Sequence, residues 1–349
     1  MTSLSFSIVV NNFNYAQFLP RAVRSALRQQ VAGGVEVIVV DDGSTDGSLA
    51  YLDSLENSPG ITIVRKPNGG QGSAYNAGWL RTTGDIVIFL DADDVLHDDA
   101  CSSIADVWQP SWSKCGYFLD MIDAEGRPLG ARLPRHLDHG SLIARLGRFG
   151  SYLSPPGSGN AYARSALERI MPIDEAEWRI GADSVPIMRS ALFGEIGKVD
   201  RSLCSYRVHG LASHATNGFN APTLALRWTA ACDLEKKSLE SLRAFARDAG
   251  LEVRLPAAPR SPNCLTNRLA ALAARRHLFS LDGVRTVGDL IVSSMTYPRY
   301  RARERPVLVL RALARALKVD LAERRRSGSL GPAVTPAPTR PDDRGSRDG

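Results

Sequence analysis

Three aspartates follow directly after an apolar run in the segment IVIFLDADDVLHDD, residues 86–99. The run has the composition of a buried strand, which places Asp91, Asp93 and Asp94 at the carboxyl end of that strand. Carboxylates at positions i and i+2 can bind a hard divalent cation, and Mg²⁺ or Mn²⁺ typically shares such ligands with the phosphates of a substrate. Capping of a following helix by Asp93 or Asp94 is the structural alternative, but it does not account for all the carboxylates at once.

A second acidic segment, DDGSTDG, begins at Asp41 and also follows an apolar run. Counted from Asp42, Asp53 has the twelfth position and the spacing approaches that of a calcium-binding loop, but such loops follow a helix and this segment follows a predicted strand. A turn and a helix N-cap account for the second half of the segment. They leave Asp41 and Asp42 unexplained, so these two carboxylates are candidates for contact with a ligand.

The N-terminal part of the chain alternates short β-branched apolar segments with segments of helical composition. This alternation predicts βαβ units and a doubly wound α/β fold whose mostly parallel sheet is covered on both faces. Ligands bind at the carboxyl ends of the strands in such sheets, so the polar residues after each strand should converge on one crevice. The predicted strands are 5–10, 35–40, 61–65 and 86–90, and the polar groups after them are Asn11, Asn12, Asn14 and the segments 41–46, 66–78 and 91–94.

The glycine-rich segment PNGGQGSAYNAG comes after the third predicted strand and fits neither the dinucleotide-binding GxGxxG pattern nor a P-loop. We expect Gly69, Gly70 and Gly72 to let the backbone approach a ligand closely. Asn76 and Gly78 are expected to open a helix. An ordinary loop is an open alternative for the whole segment.

Composition predicts two more strands and several helices in the rest of the chain. The strands are expected near 115–122 and 203–208, and the helices near 164–170, 183–194, 222–282 and 306–324. Three further signals are ordinary when taken singly: a polar glycine loop SGNAYARSAL leading into a helix, Asp183 at the start of another helix, and His209 after a strand. Gly, Pro, Ser and charged residues dominate after residue 327, which predicts a disordered tail.

The charge of the chain is concentrated at its C-terminal end. The net charge is +6, and residues 301–349 alone hold 12 Lys and Arg against 6 Asp and Glu. This distribution argues against a nucleic-acid groove across the domain. The predicted helix 306–324 places Leu310, Leu313, Leu317 and Leu321 on one face, with Arg311, Arg315 and Lys318 off it. That helix either contacts an anionic membrane surface or packs against the rest of the protein.

Cysteine usage and the N-terminus predict where the protein is found. The five cysteines are irregularly spaced, with no CxxC pair and no zinc-type ladder of Cys and His. The N-terminus reads directly as a strand and not as a secretory leader, and no apolar stretch is long enough for a membrane span. We therefore expect a cytoplasmic protein, with a peripheral position at the inner face of the plasma membrane if the basic helix binds lipid.

Taken in order, these segments resemble the inverting nucleotide-sugar glycosyltransferases of family 2, which have the GT-A fold. The resemblance covers roughly residues 4–215. It is carried by SIVVNNFNYAQFLPRAVRSALRQQ, VEVIVVDDGSTDGS, NGGQGSAYNAGWLRTTGDIVIFLDADD, SGNAYARSAL, Asp183 with RSALFGEIGKV, and YRVHG.

The resemblance implies a nucleotide-diphosphate sugar lying across the strand ends, with a UDP-sugar favoured. Asp91 and Asp93 match the D-x-D motif of the family, with Asp93 as the more direct ligand of Mn²⁺ or Mg²⁺. His209 matches a histidine that approaches the metal or diphosphate, and Asp183 matches the catalytic base. The residues implied in donor binding are Asn11, Asn14, Asp41, Asp42, Asn68, Gly69, Gly70, Asn76 and Asp91.

The function implied is a metal-dependent, inverting transfer of sugar to the hydroxyl of a glycan or lipid-linked acceptor, in the synthesis of cell-surface polysaccharide or glycolipid. One departure is Ala182, where many members have Glu. A nucleotide-sugar-binding protein without turnover and a nucleotidyltransferase are the alternatives. We expect a GT-A catalytic domain over 1–220, with its nucleotide-sugar half about 1–100 and its acceptor half about 100–220. A helical region over 221–326 and the tail 327–349 complete the expected organisation.

Overall fold

The structure is a computed structural model that describes residues 3–209, 224–274, 278, 280–296, 306, 309–314 and 316–318. The strands are β1 (Phe6–Asn12), β2 (Val35–Asp41), β3 (Ile61–Arg65), β4 (Ile86–Asp91), β5 (Val95–Leu96), β6 (Trp112–Ile122), β7 (Pro128–Leu133), β8 (Asn160–Ala163) and β9 (Glu195–Arg207). The helices are α1 (Leu19–Leu27), α2 (Ser48–Asp53), α3 (Gln71–Trp79), α4 (Ala100–Ala105), α5 (Ile143–Phe149), α6 (Arg164–Ile170), α7 (Ser184–Ser190), α8 (Leu224–Asp248), α9 (Pro262–Ala274) and α10 (Leu281–Thr296).

The four N-terminal strands predicted from the sequence form one parallel half of the sheet. They pair in the order β3-β2-β1-β4, and every pair among them is parallel. The register sets Asn12 beside Asp41 and Asn11 beside Asp91. The carboxyl ends of these strands therefore meet at one edge, as the sequence predicted, and the doubly wound α/β fold is confirmed.

The sheet continues beyond β4 through strands of mixed direction. Within the described residues it has nine strands, with β8, β6, β9 and β5 following β4 in order and β7 attached to β6. Strand β8 is antiparallel to β4 and β6, whereas β6 and β9 are parallel. Because β5 comes directly after the aspartates of β4 and pairs with β9, the sheet curls back on itself around them.

Alternating side chains of the central strand enter two different hydrophobic cores. Ile8 and Val10 pack with Leu19 and Val23 of α1 on one face of the sheet. Val9, which lies between them, packs on the other face with Tyr75 of α3. A strand buried on both faces is typical of a parallel sheet covered by helices on each side.

Three sequence-based interpretations of local structure are wrong. The segment predicted as a glycine loop contains strand β8, which pairs with β4 and β6. Helix α3 begins at Gln71, so Asn76 and Gly78 lie inside it and do not open it. The N-cap alternative for Asp93 and Asp94 is also wrong, because strand β5 follows them.

The C-terminal region is helical, as predicted. Residues 309–314 and 316–318 are helical, and Ala312 and Ala316 are buried against α9 and α10. Leu310 and Leu317 are 64% and 44% exposed, whereas Leu313 packs against the same core as the two alanines. The predicted leucine face is therefore packed only in part, and Leu321 lies outside the described residues. No helix among the described residues is both long and apolar enough to cross a membrane. Membrane contact and the domain boundaries stay predictions, and the tail 327–349 lies outside the described residues.

The close packing of α3 on the sheet gives a first prediction. A Cβ atom at Gly78 would lie 2.3 Å from Val9 Cγ1 and 3.2 Å from Val40 Cγ2. We expect Gly78→Ala to lower the free energy of unfolding by about 1–3 kcal/mol, because overpacking outweighs the gain in helix propensity. Chemical denaturation followed by circular dichroism measures it. Gly288→Ala is the matched control, since nothing lies within 4 Å of that exposed helical position, and equal stability of the two variants would contradict the packing argument.

A buried carboxyl in the helical region gives a prediction about pH. The Cys264 thiol and the Asn267 amide hydrogen-bond to Glu235, and burial raises its pKa from 4.5 to about 7. The folded chain therefore keeps a proton that the unfolded chain loses above pH 4.5, and its stability falls as the pH rises toward about 7. We expect Glu235→Gln to remove this loss, so that the free energy of unfolding of the variant exceeds that of the wild type by about 2–3 kcal/mol at pH 8 and by little at pH 4. Denaturation of both proteins at the two pH values tests it, and an equal difference at both would be contrary evidence.

Candidate active site

A cavity of about 430 Å³ opens at the carboxyl ends of β1, β2 and β4. Its wall includes five of the residues implied in donor binding by the sequence, which are Asn11, Asp42, Asn68, Gly70 and Asp91. The same wall includes the acidic residues Asp93 and Asp183. The structure therefore brings together residues that the chain carries in five separate segments, and it does so where the strand-end rule predicts.

The aspartates after β4 form a compact acidic cluster. One oxygen from each of Asp91, Asp93 and Asp94 lies within 4.8 Å of the others. Burial raises the pKa of Asp91 well above its usual range, and the charges of Asp93, Asp94 and Asp183 raise it further. Burial and the charge of Asp93 raise the pKa of Asp94 as well. An all-oxygen set under such mutual repulsion suits a hard divalent cation, which would offset the negative charge.

Arg207 holds the backbone of this cluster in place. Its Nε donates to the carbonyl of Asp93 at 2.8 Å, and its own backbone N–H donates to Asp94 Oδ1 at 2.9 Å. Arg207 is 1% exposed, and its guanidinium lies 4.8 Å from the centre of the Phe18 ring. Sequence reasoning missed this residue, although it stands in the YRVHG segment that was singled out for His209.

His209 is a direct neighbour of the acidic cluster. Its Nε2 lies 2.9 Å from Asp93 Oδ2, and its ring packs 4.6 Å from Phe18 and 5.6 Å from Tyr15, measured between ring centres. Its side chain is buried, and it is neither in the group of side chains that could together hold a metal ion nor in the cavity wall. The structure thus places His209 behind Asp93, and its role as a metal ligand stays a prediction.

Asp42 organises the glycine-rich loop that forms one side of the cavity. Its carboxylate pairs with Lys66 Nζ at 2.6 Å and accepts from the N–H groups of Gly69 at 2.9 Å and Gly70 at 2.7 Å. Gly70 has φ +87°, and a Cβ there would lie 2.6 Å from the carbonyl oxygen of Arg179. The sequence predicted that these glycines let the backbone approach a ligand closely. At Gly70 the backbone instead lies close to the protein itself, at Arg179 in the segment before α7.

Besides Gly69, whose N–H donates to Asp42, three residues implied in donor binding do not line the cavity. Asp41 accepts from Asn12 Nδ2 at 2.7 Å and from the Ser44 N–H at 3.0 Å. Asn14 Oδ1 accepts from the Thr45 N–H at 2.7 Å. Asn76 exchanges two hydrogen bonds with the backbone of Ile173, each 2.8 Å long. These contacts build the loops around the cavity, and a direct role in donor binding stays a prediction for all three.

Asp183 stands at the start of α7 and points into the cavity. It has the N-cap position of this helix but makes no capping hydrogen bond with its side chain. Its Oδ2 instead accepts from the Gly157 N–H at 3.1 Å. The preceding Ala182 is fully buried in the core beside α3, so a glutamate at this position would place its carboxylate among apolar side chains. Of positions 182 and 183, Asp183 therefore brings a carboxylate to the cavity and Ala182 does not.

Several side chains in the cavity wall had no signal in the sequence. Phe13, Tyr15 and Tyr206 supply apolar and aromatic surface, and exposed Arg179 adds a positive charge at the rim. Arg179 Nη2 donates to Asn68 Oδ1 at 2.8 Å and so links the rim to the glycine-rich loop. The residue lies in an irregular segment with no motif, so single-sequence reasoning had no means of finding it.

Comparison with known proteins bears on what this cavity does. The family model described as Glycosyl transferase family 2 matches residues 7–116. An uncharacterized glycosyltransferase of Nostoc sp. (strain PCC 7120) is 38% identical over 221 residues, which are 60% of this chain and 67% of that relative. A chondroitin synthase of Pasteurella multocida is 42% identical over 95 residues, which are 27% of this chain and 10% of the synthase.

A solved structure supports the fold independently of these sequences. The crystal structure of S. aureus TarS 1–349 in complex with UDP-GlcNAc matches with a TM-score of 0.51 at 18% identity, covering 93% of this chain and 92% of that one. At this identity the likeness shows a common fold, the GT-A type expected from the sequence. With the family model, the Nostoc relative and the shared architecture in agreement, the chain belongs to glycosyl transferase family 2 and is a glycosyltransferase.

Proposed function

We propose that this glycosyltransferase moves a sugar from a nucleotide-diphosphate sugar to an acceptor hydroxyl, with inversion at the anomeric carbon. One observation carries the proposal: the paired carboxylates Asp91 and Asp93 and the separate carboxylate Asp183 line the same cavity. An inverting transfer in one step needs charge stabilisation on the side of the leaving diphosphate and a base on the side of the acceptor. The cavity offers acidic groups for both tasks.

Asp91 and Asp93 would hold Mg²⁺ or Mn²⁺, with Asp94 and His209 directly behind them. The chemistry of the donor set supports this assignment, because the cluster gathers carboxylate oxygens whose mutual repulsion raises the pKa of Asp91. When bound, the cation would neutralise negative charge that develops on the departing nucleoside diphosphate. Arg207 keeps the turn that carries these ligands in a fixed position through its bond to the Asp93 carbonyl.

Asp183 would take the proton from the acceptor hydroxyl as that hydroxyl attacks the sugar. The Gly157 N–H donates to Asp183 Oδ2 and so orients this carboxylate in the wall of the cavity. Asp42, Asn68 and Gly70 form the wall for the nucleoside, and aromatic Phe13 lies in the same wall. We propose a glycan or lipid-linked acceptor, in the assembly of a cell-surface polysaccharide or glycolipid.

The donor and the metal can be tested in one assay. We expect the protein to release nucleotide diphosphate from one class among UDP-, GDP- and dTDP-sugars in the presence of Mn²⁺, with UDP-sugars tried first. Asp93→Asn should reduce that release at least about a hundredfold, because it removes a charged metal ligand. Chromatography of the released nucleotide measures it. Asp98→Asn is the matched control, since Asp98 is exposed on the same segment and pairs only with Arg28 among the described residues.

Retained turnover in Asp93→Asn with Mn²⁺ would remove the metal role. Binding of a donor by the wild type with no nucleotide release, with or without acceptor mixtures, would instead identify a nucleotide-sugar-binding protein.

The role of Asp183 predicts a separation of binding from chemistry. We expect Asp183→Asn to bind the donor as tightly as the wild type while its transfer rate falls by about 10²–10⁴, the usual contribution of a general base. The asparagine oxygen can still accept from the Gly157 N–H, so the local structure should persist. Calorimetric titration gives the affinity, and single-turnover kinetics give the rate. Asp200→Asn, at an exposed aspartate of β9, should change neither, and an unchanged rate in Asp183→Asn would rule that residue out as the base.

A further inference from the structure

A lysine is buried beneath the turn that contacts Asp183. Lys114 of β6 is fully buried, and its Nζ donates to Asn160 Oδ1 and to Ser154 Oγ, each at 2.6 Å. The same Nζ lies 5.3 Å from the centre of the Tyr152 ring. Both hydrogen-bond acceptors are uncharged, although the charge of buried Asp138 also favours the ammonium form of Lys114.

Asn160 links Lys114 to the turn formed by residues 155–159, because it hydrogen-bonds to both. Its Nδ2 donates to three successive carbonyls, those of Pro155 at 3.0 Å, Pro156 at 3.1 Å and Gly157 at 3.2 Å. The asparagine is fully buried. Because its oxygen accepts from Lys114, the orientation of its amide is fixed with the nitrogen toward the turn.

The 155–159 turn contacts both Asp183 and the acidic cluster. The Gly157 N–H donates to Asp183 Oδ2 at 3.1 Å, and Ser158 Oγ accepts from the Asp91 N–H at 3.1 Å. A Cβ atom at Gly157 would lie only 3.0 Å from Asp91 Oδ2. A small displacement of this turn would therefore shift the Asp183 carboxylate relative to the acidic cluster.

Lys114 also has an indirect contact with the helix that begins at Asp183. The Tyr152 ring lies beside its Nζ, and the Tyr152 hydroxyl donates to the carbonyl of Ile187 in α7. Lys114 is thus linked to two structures that fix Asp183. Through Asn160 it is linked to the turn that contacts the Asp183 carboxylate, and through Tyr152 to helix α7, which follows Asp183 in the chain.

We propose that Lys114 is a positioning residue for the catalytic base, acting through Asn160 and the 155–159 turn. The inference rests on the proposed role of Asp183 and extends the machinery to residues behind the cavity wall.

Stability alone does not account for a lysine at this position. Burial lowers the pKa of Lys114 to about 7, which shows that the interior disfavours its charge. Replacing buried charged groups by apolar residues of similar size is often neutral or stabilising. A methionine at position 114 would fill a similar volume but would donate to neither Asn160 Oδ1 nor Ser154 Oγ. Ser154 Oγ also donates to Asn160 Oδ1, at 3.0 Å, so the feature that the lysine adds is a donor that holds both of these side chains under the turn.

Lys114→Met tests the proposal. We expect kcat for nucleotide release from the active donor to fall about tenfold to a hundredfold, as for a small misplacement of a catalytic group, with donor affinity within about threefold of the wild type. Hydrogen–deuterium exchange of a peptide covering residues 157–163 should become faster. Ser113→Ala is the matched control, because Ser113 is the buried neighbour on β6 and donates to the Glu195 carbonyl, away from the turn. It should leave kcat and this exchange unchanged.

A second variant covers the case in which Lys114→Met does not fold. Asn160→Asp keeps an acceptor for Lys114 but loses the amide that donates to the three carbonyls, and it should lower kcat without weakening donor binding. Unchanged kcat in either folded variant overturns the proposal, as does unchanged exchange of the turn in Lys114→Met. If the wild type releases nucleotide from no donor, the proposed function fails, while the exchange measurement still decides whether Lys114 fixes the turn.

Discussion

The repulsion among three aspartates at the end of β4 is the constraint on which the rest of the site depends. Burial raises the pKa of Asp91 and Asp94, and their like charges raise it further and favour either proton uptake or separation. The fold prevents separation by passing the chain directly into β5, which pairs with β9, and by placing Arg207 under the turn. The curl of the sheet and the buried arginine are thus structural conditions for a concentrated acidic cluster.

The parts of this arrangement that follow from periodicity could be predicted from the sequence. Apolar runs identified the four strands of the parallel half, and the register of that half places Asn11 level with Asp91. The strand-end rule then predicted one crevice, and the family resemblance selected Asp93 and Asp183 within it. Both residues line the cavity. Motif order and strand direction were sufficient to predict the location of the crevice, because they determine at which edge of the sheet each strand ends. Side-chain contacts were not needed for this prediction.

Contacts made by single buried polar side chains could not be predicted in the same way. Lys114, Asn160 and Arg207 have no periodic pattern, and each is buried through a partner that is distant in sequence. The position of Gly78 inside α3 was missed because glycine usually marks a helix end, whereas here the absence of a side chain permits close packing on Val9. The leucine positions of the C-terminal helix did not show which face packs, because Ala312 and Ala316 are buried beside Leu313 while Leu310 and Leu317 are exposed.

The two buried cations lie on neighbouring strands of one sheet. Lys114 is near the start of β6 and Arg207 is at the end of β9, and these strands are paired along nearly their whole length. One cation supports the turn beside Asp183, and the other supports the turn beside Asp93. The spacing between Asp183 and the acidic cluster is therefore set by a single pair of strands. Loops at the rim can vary among related enzymes, and so alter which molecules enter, without changing that spacing.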